Sequence, residues 1–153
     1  VTSPEAQQQA VASWGEVSQQ FEFPLFSGVV SLLEELKAMN FRLHLWTARD
    51  EASSKKILKT HGIEHFFTSM SFAHSTLSKP HAASLNFDWK TAKPNSLLMI
   101  GDSPSDIFGA KNINAIAAAA LWDIEADIDK LVSSGAELYF YEVPEILKWV
   151  QSL

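Results

Sequence analysis

The stretch that decides the fold is SLLMIGDSPSDIFGAKNINAIAAAAL, residues 96–121. It begins with the apolar run Ser96 to Ile100, which predicts a buried strand that stops at Gly101-Asp102. Pro104 then predicts the first turn of a helix, and a second apolar run, Ala115 to Leu121, predicts another strand. A strand, a helix and a strand in this order form a right-handed unit with two parallel strands.

The same alternation continues on both sides of this stretch. Short apolar runs separate segments whose apolar residues recur at helical spacing, and Ser3-Pro4 predicts a helix start near the amino terminus. The pattern predicts an α/β fold, a doubly wound, Rossmann-like parallel sheet covered by helices on both faces. Ligands of such sheets bind beyond the carboxyl ends of the strands, so residues directly after strands are the candidates for chemistry. The other expected elements are helices at about 3–20, 29–39, 51–61, 81–87, 104–112, 124–133 and from Pro144, and strands at 41–46, 66–72 and 138–141.

Composition narrows the function before any motif is considered. Of the 153 residues, 46% are hydrophobic and 20% are charged, a mixture typical of one globular domain. Acidic side chains outnumber basic ones by 18 to 12, and no basic run is long enough to follow a phosphate backbone, which argues against nucleic acid as a partner. The absence of cysteine excludes disulfides and thiolate sites. Val1 to Ala10 does not resemble a secretory signal and no apolar run could span a membrane, so we expect a cytoplasmic protein.

Two carboxylates follow the strand at 96–100. Asp102 lies on the loop and Asp106 in the first turn of the next helix, so both can point at one position above the sheet. Carboxylate oxygens are the ligands that Mg²⁺ prefers, and this ion often uses only one or two of them. The alternative is structural, with Asp102 ending a strand and Asp106 complementing the helix dipole.

Two further positions suit the binding of an anion. Thr47 follows the strand at 41–46, and its hydroxyl, with the amides of Ala48 and Arg49, can hold a phosphate at a helix amino terminus. An N-cap role is the alternative for Thr47. Lys79 precedes Pro80, which restricts its backbone, and a nearby anion would explain a cation at a helix start. The alternative for Lys79 is a solvated surface position.

The order and spacing of these residues resemble the haloacid dehalogenase superfamily of phosphatases, in particular its phosphoglycolate-phosphatase-like branch. The resemblance covers nearly all of the chain from Pro24 on, and the fourth motif is its most specific part. Phe26 to Lys37 is similar to the helix before the second motif, Leu45-Trp46-Thr47 to the second motif, Lys79-Pro80 to the third, and Gly101 to Asp106 with Ala110-Lys111-Asn112 to the fourth.

One motif of the family is absent from this sequence. The first motif, a strand ending in Asp-x-Asp-Gly-Thr, supplies the nucleophilic aspartate and the general acid, and it precedes everything seen here. The nearest match, around Asp88, has Lys90 in place of the second Asp, lacks the Gly, and lies between the third and fourth motifs. The missing strand is central in the family, and a parallel sheet without it would have unpaired backbone groups. We therefore expect the carboxyl-terminal part of a longer protein, with residues 1–22 as the end of a helical cap and 23–153 as the core.

The resemblance implies Mg²⁺-dependent hydrolysis of a small phosphomonoester through an aspartyl phosphate. By this resemblance Asp102 and Asp106 are the metal residues, and Thr47, Ala48 and Lys79 bind the phosphate. Thr47, Lys79 and Asp102 are the catalytic residues that this chain supplies, and the chain alone is expected to be inactive. The alternative is an inactive fragment, or a module that only binds phosphate or Mg²⁺.

Other classes fit less well. A receiver domain has its acidic pair before its Thr and Lys, the reverse of the order here, and no Gly-x-Gly-x-x-Gly for a dinucleotide follows any strand. The resemblance places substrate choice mostly in the cap, so the phosphomonoester stays unnamed; Arg49, His74 and His81 are polar groups that can line the entrance. The expected partners are a small phosphorylated metabolite and the missing amino-terminal segment, with no nucleic acid and no membrane.

Overall fold

The computed structural model describes residues 23–74, 78–93 and 95–153, together with Ser3, Glu5, Ala6, Gln9 and Ser13. Most of the expected cap segment and of the helix at 3–20 lies outside the described residues. Among its described residues, the amide of Ala6 donates to Ser3 Oγ over 3.2 Å, a hydrogen bond typical of an N-cap and consistent with the predicted helix start at Ser3-Pro4. None of the described helices has the length and the apolar character needed to cross a membrane.

Helices and strands alternate along the described chain as expected. The first two helices end near residues in the left-handed conformation, Asn40 with φ 63° and Gly62 with φ 66°, because such residues stop a helix. In chain order the elements are α1 (Val29–Ala38), β1 (Leu43–Trp46), α2 (Glu51–Thr60), β2 (Phe67–Ser71), β3 (Leu98–Gly101), α3 (Pro104–Asn112), β4 (Ile116–Ala120), α4 (Ile128–Ser134), β5 (Leu138–Phe140) and α5 (Val143–Gln151).

Two expected helices differ from the observed ones. The helix expected at 81–87 is wrong, since that segment contains only the 3-10 turn Ala82–Ser84. The amide of Asn86 donates to Ser71 Oγ over 2.7 Å instead of continuing a helical ladder. Helix α4 begins later than expected because Asp127 is its N-cap.

All described strand pairs are parallel. The strands form one sheet of β1 and β2 and a second sheet in the order β3–β4–β5. The expected α/β architecture with parallel strands is therefore confirmed. Among the described residues, one edge of β1 and one edge of β3 have no strand partner.

The core lies on both faces of the three-stranded sheet. Ala117 and Ala119 of β4 face a cluster formed with α3 and α4, and Ala118 faces a second cluster formed with α1 and α5. Trp46 of β1 belongs to the first cluster, and its ring packs so closely on α3 that a Cβ at Gly109 would lie 2.8 Å from it. Trp46 therefore packs the two-stranded sheet against the rest of the core.

Candidate functional site

The loop after β3 is built around a close contact between its glycine and an aspartate. A Cβ on Gly101 would lie 2.2 Å from Cγ of Asp106, so only glycine fits there. The φ of Gly101 is not in the left-handed region, so a special backbone conformation does not explain the glycine. The requirement is space for the Asp106 carboxylate.

Asp106 is buried and fully engaged by protein donors. Its residue is 2% exposed, and Oδ2 accepts hydrogen bonds from the Ser103 amide at 3.1 Å and the Ser103 hydroxyl at 2.8 Å. Its other oxygen accepts from Lys79 Nζ in an ion pair whose lysine side chain is 11% exposed. Asp106 therefore forms a capping box with Ser103, the N-cap of α3, and holds the lysine at the same time.

Lys79 reaches this carboxylate from a loop that α3 also restrains. The Asn112 side-chain amide donates to the Pro80 carbonyl over 2.9 Å, and the Lys79–Pro80 peptide bond is cis. The anion expected near Lys79 is thus Asp106, although no α-helix begins there. An ammonium group carries three N–H donors, so two remain for another ligand.

Asp102 differs from Asp106 in its surroundings. It is exposed, and no described residue forms a hydrogen bond or an ion pair with its carboxylate. Such a free carboxylate suits Mg²⁺, which binds proteins through few carboxylates and completes its shell with water or phosphate. In the described part of the chain no group of three or more His, Asp or Glu side chains could hold a metal ion, so further ligands would have to come from elsewhere.

Thr47 lies directly after β1 and is held by its backbone and its side chain. Its amide donates to the Ser71 carbonyl over 2.9 Å, and its Oγ1 accepts from the Arg49 amide over 3.1 Å. The hydroxyl hydrogen is left to donate to a ligand. The indole of Trp46 donates to Ser84 Oγ over 2.8 Å, which ties the end of β1 to the loop that carries the lysine.

The structure therefore brings some of the predicted site residues into direct contact. Lys79 and Asp106 are in contact and Asp102 lies on the loop that leads into α3, whereas no described contact links Thr47 or Ala48 to them. Sequence reasoning missed Ser103, although the Ser-x-x-Asp spacing is the signature of a capping box.

No described contact joins the remaining candidates to this loop. Asp88 is the N-cap of the 3-10 turn Trp89–Thr91 and does not follow a strand, which favours the interpretation of its motif as a chance match. His74 and His81 are exposed, and Arg49 packs with its Cζ 4.5 Å from the centre of the Phe23 ring.

One histidine is half-buried in β1, before the carboxyl end of that strand. His44 of β1 stacks on Phe87 with ring centres 4.0 Å apart, and its Nδ1 lies 2.6 Å from Ser69 Oγ. Burial, and then the charge of Arg42, lowers the pKa of His44, so its neutral form is favoured in the folded protein.

Comparison with known proteins supplies the family context. Residues 2–120 match the family described as haloacid dehalogenase-like hydrolase. The chain is 24% identical over 129 residues to a phosphoglycolate phosphatase of Synechococcus elongatus, and 27% identical over 125 residues to the pyrophosphatase PpaX of Oceanobacillus iheyensis. These matches cover 84% and 80% of this chain, but 60% and 58% of the relatives. The chain thus spans about 60% of the length of these two relatives.

A solved structure supports the same fold. A protein described as a predicted phosphoglycolate phosphatase from Haemophilus somnus superimposes with a TM-score of 0.78 and 27% identity. The superposition covers 99% of this chain and 69% of that one. Similarity at this level over nearly the whole chain confirms the doubly wound α/β fold class.

Proposed function

Because the chain belongs to the haloacid dehalogenase-like hydrolase family, we propose that it forms most of the core of a Mg²⁺-dependent phosphatase. The reaction is hydrolysis of a small phosphomonoester through an aspartyl phosphate, and this chain supplies the Thr, Lys and Asp-pair motifs. The observation that carries the proposal is the buried Lys79–Asp106 pair in contact with the loop of the exposed Asp102. A fixed cation beside a free carboxylate suits a phosphate and a divalent metal bound together.

Three groups hold the oxygens of the phosphoryl group in this proposal. Lys79 has two N–H donors beyond the one directed at Asp106, and Thr47 has a free hydroxyl hydrogen. The amide of Ala48 is the third donor. Donors of this kind, fixed before the substrate arrives, stabilise the charge that develops during phosphoryl transfer.

The two aspartates have different roles in the metal site. Asp102 would hold Mg²⁺, which when bound neutralises negative charge on the phosphate and on the attacking group. The oxygens of Asp106 already accept hydrogen bonds from Lys79 and Ser103. Asp106 therefore supports the site by fixing the lysine and the loop on which Asp102 lies.

The nucleophilic aspartate comes from a segment outside these 153 residues. It would lie on a strand inserted between β1 and β3, each of which has one edge without a strand partner among the described residues. Thr47 follows β1 and Asp102 follows β3, so such a strand would end between them. An aspartate at its carboxyl end would be next to both groups.

The substrate class is a small phosphorylated metabolite. The two curated relatives are named for phosphoglycolate and pyrophosphate, two compounds in which a second anionic group accompanies the phosphate under attack. We extend that substrate class to this protein, together with a cytoplasmic location, where charged metabolites are retained. The second candidate function is a module that binds phosphate or Mg²⁺ without turnover, which the lack of an Asp-x-Asp-Gly-Thr motif in these 153 residues favours.

Phosphatase assays on two lengths of protein test the proposal. The 153-residue chain and the same chain with its upstream coding segment are assayed on a panel of phosphomonoesters with and without Mg²⁺. We expect turnover only from the longer protein and only with Mg²⁺, because the covalent step needs an aspartate in line with phosphorus. Circular dichroism establishes that both samples are folded before rates are compared.

Variants of the longer protein assign the roles. Asp102→Asn and Lys79→Ala are expected to lower kcat/KM by orders of magnitude, because each removes charge that stabilises the transition state. Asp88→Asn and Lys93→Ala are the matched controls and should leave the rate unchanged. Turnover by the short chain that Asp88→Asn abolishes would refute the assignment of the nucleophile. An inactive longer protein would favour the binding module.

A further inference from the structure

Arg49 has an orphaned hydrogen-bond donor and lies two residues after Thr47 of the proposed phosphate site. Its Nη1 is buried and has no hydrogen-bond partner, although the residue as a whole is half-buried. Buried side-chain donors in folded proteins almost always have an acceptor, so each exception calls for an explanation. A guanidinium group with unused donors points to an acceptor that is not part of the described chain.

The acidic neighbours of Arg49 do not supply that acceptor. Asp50 caps α2 and accepts hydrogen bonds from the Ser53 amide at 2.9 Å and from its hydroxyl. Glu51 pairs with Lys55 over 2.7 Å. No described carboxylate therefore neutralises the charge of Arg49, in a protein whose formal net charge is −6.

The backbone around Arg49 is fixed close to the threonine that we assign to phosphate binding. Its amide donates to Thr47 Oγ1 over 3.1 Å, and its carbonyl accepts from the Ala73 amide over 3.0 Å. The Cα atoms of residues 47 and 49 can be at most about 7 Å apart. A group that extends a few bonds beyond a phosphate bound at Thr47 is within the reach of an arginine side chain.

The aromatic contact of Arg49 orients its guanidinium plane. Its Cζ lies 4.5 Å from the centre of the Phe23 ring, a cation–π arrangement that uses the face of the guanidinium and not its N–H edges. Those edges match the two oxygens of a carboxylate or of a phosphate. The ring therefore holds a fork of donors in place for a bidentate oxyanion.

We propose that Arg49 is a specificity-determining residue that binds a second anionic group, a carboxylate or a second phosphate, on the phosphorylated substrate. The proposal rests on the proposed phosphatase function and names the feature that separates preferred from poor substrates. Loss of the arginine then weakens recognition of the second anion while the chemistry at phosphorus is unaffected.

The test compares two substrates that differ only in the second group. The longer protein is assayed on 2-phosphoglycolate and on phosphoglycolamide, in which a neutral amide replaces the carboxylate. Arg49→Met should lower kcat/KM for phosphoglycolate by about 10- to 100-fold, the range for losing a charge-assisted hydrogen bond, and change phosphoglycolamide less than about threefold. Arg49→Lys should restore part of the loss, since it keeps the charge without the fork. Arg42→Met is the matched control on an exposed arginine and should change neither substrate.

The outcomes separate this inference from the proposed function. An equal loss of kcat/KM on both substrates would mean that Arg49 only supports the Thr47 loop. No loss on either substrate would mean that Arg49 binds neither of them. Each of these two results overturns the inference while the phosphatase activity stands. If the unaltered protein hydrolyses neither substrate nor any other phosphomonoester, the proposed function fails and the inference fails with it. A selective loss on the carboxylated substrate supports both.

Discussion

Replacing Asp106 by Asn should cost more stability than any other single change of charge in the described chain. Asn keeps an oxygen for the Ser103 donors but leaves Lys79 as a buried ammonium with no anion. The whole Asp106 residue is 2% exposed, and the side chain of Lys79 is 11% exposed. Removing one partner of a buried pair typically costs about 3–5 kcal/mol. Since domains of this kind are stable by only about 5–15 kcal/mol, the variant loses a large part of its stability.

Urea unfolding, followed by tryptophan fluorescence, measures the effect. Asp127→Asn is the matched control, since the Asp127 carboxylate also accepts a hydrogen bond from a backbone amide at the start of a helix and pairs with a lysine, but its pair with Lys130 is exposed and should matter little. The double variant Asp106→Asn/Lys79→Met should recover most of the loss, because no buried charge remains unpaired. If Asp106→Asn unfolds at the same urea concentration as the unaltered chain, or if the double variant is no more stable than Asp106→Asn, the buried-pair reasoning is wrong.

Two further predictions concern packing and pH. Gly109→Ala should lower the unfolding free energy by about 1–3 kcal/mol in the same assay, because its Cβ would lie 2.8 Å from the Trp46 ring; a stabilised variant, explained by helix propensity alone, would contradict this packing. His44 has a lowered pKa, so below about pH 6.5 the unfolded chain binds a proton that the folded chain excludes, and stability should fall as the pH decreases toward 5. His44→Gln should flatten this decrease in urea titrations at several pH values, and an unchanged slope would exclude His44 as its source.

Local patterns predicted the elements whose structure depends on local interactions. Pro104 begins α3 and Asp106 lies in its first turn, as expected from the chain chemistry of helix starts. The segment 81–87 was not predictable in this way. Its helical pattern is overridden by the hydrogen bond from the Asn86 amide to Ser71 of β2, a contact between distant residues that the pattern of the segment itself does not reveal.

In the candidate site, too, local patterns predicted some positions and did not predict the contacts between distant residues. The positions of Thr47 and Asp102 after strands could be predicted, because parallel strands all end at one edge of a sheet. The pairing of Lys79 with Asp106 depends on the path of the loop between β2 and β3, which periodicity does not describe. Likewise, the orphaned donor of Arg49 becomes visible only when the partners of its acidic neighbours are known.

The edges of β1 and β3 that no described strand covers have a consequence for handling the protein. Leu43–Trp46 and Leu98–Gly101 carry neither the lysines nor the prolines that usually protect an edge strand from pairing with another molecule. Two copies of the chain can therefore satisfy these backbone groups by pairing their edge strands with each other. Self-association of the purified chain should increase steeply with concentration, and a short extended peptide that occupies the edges should suppress it.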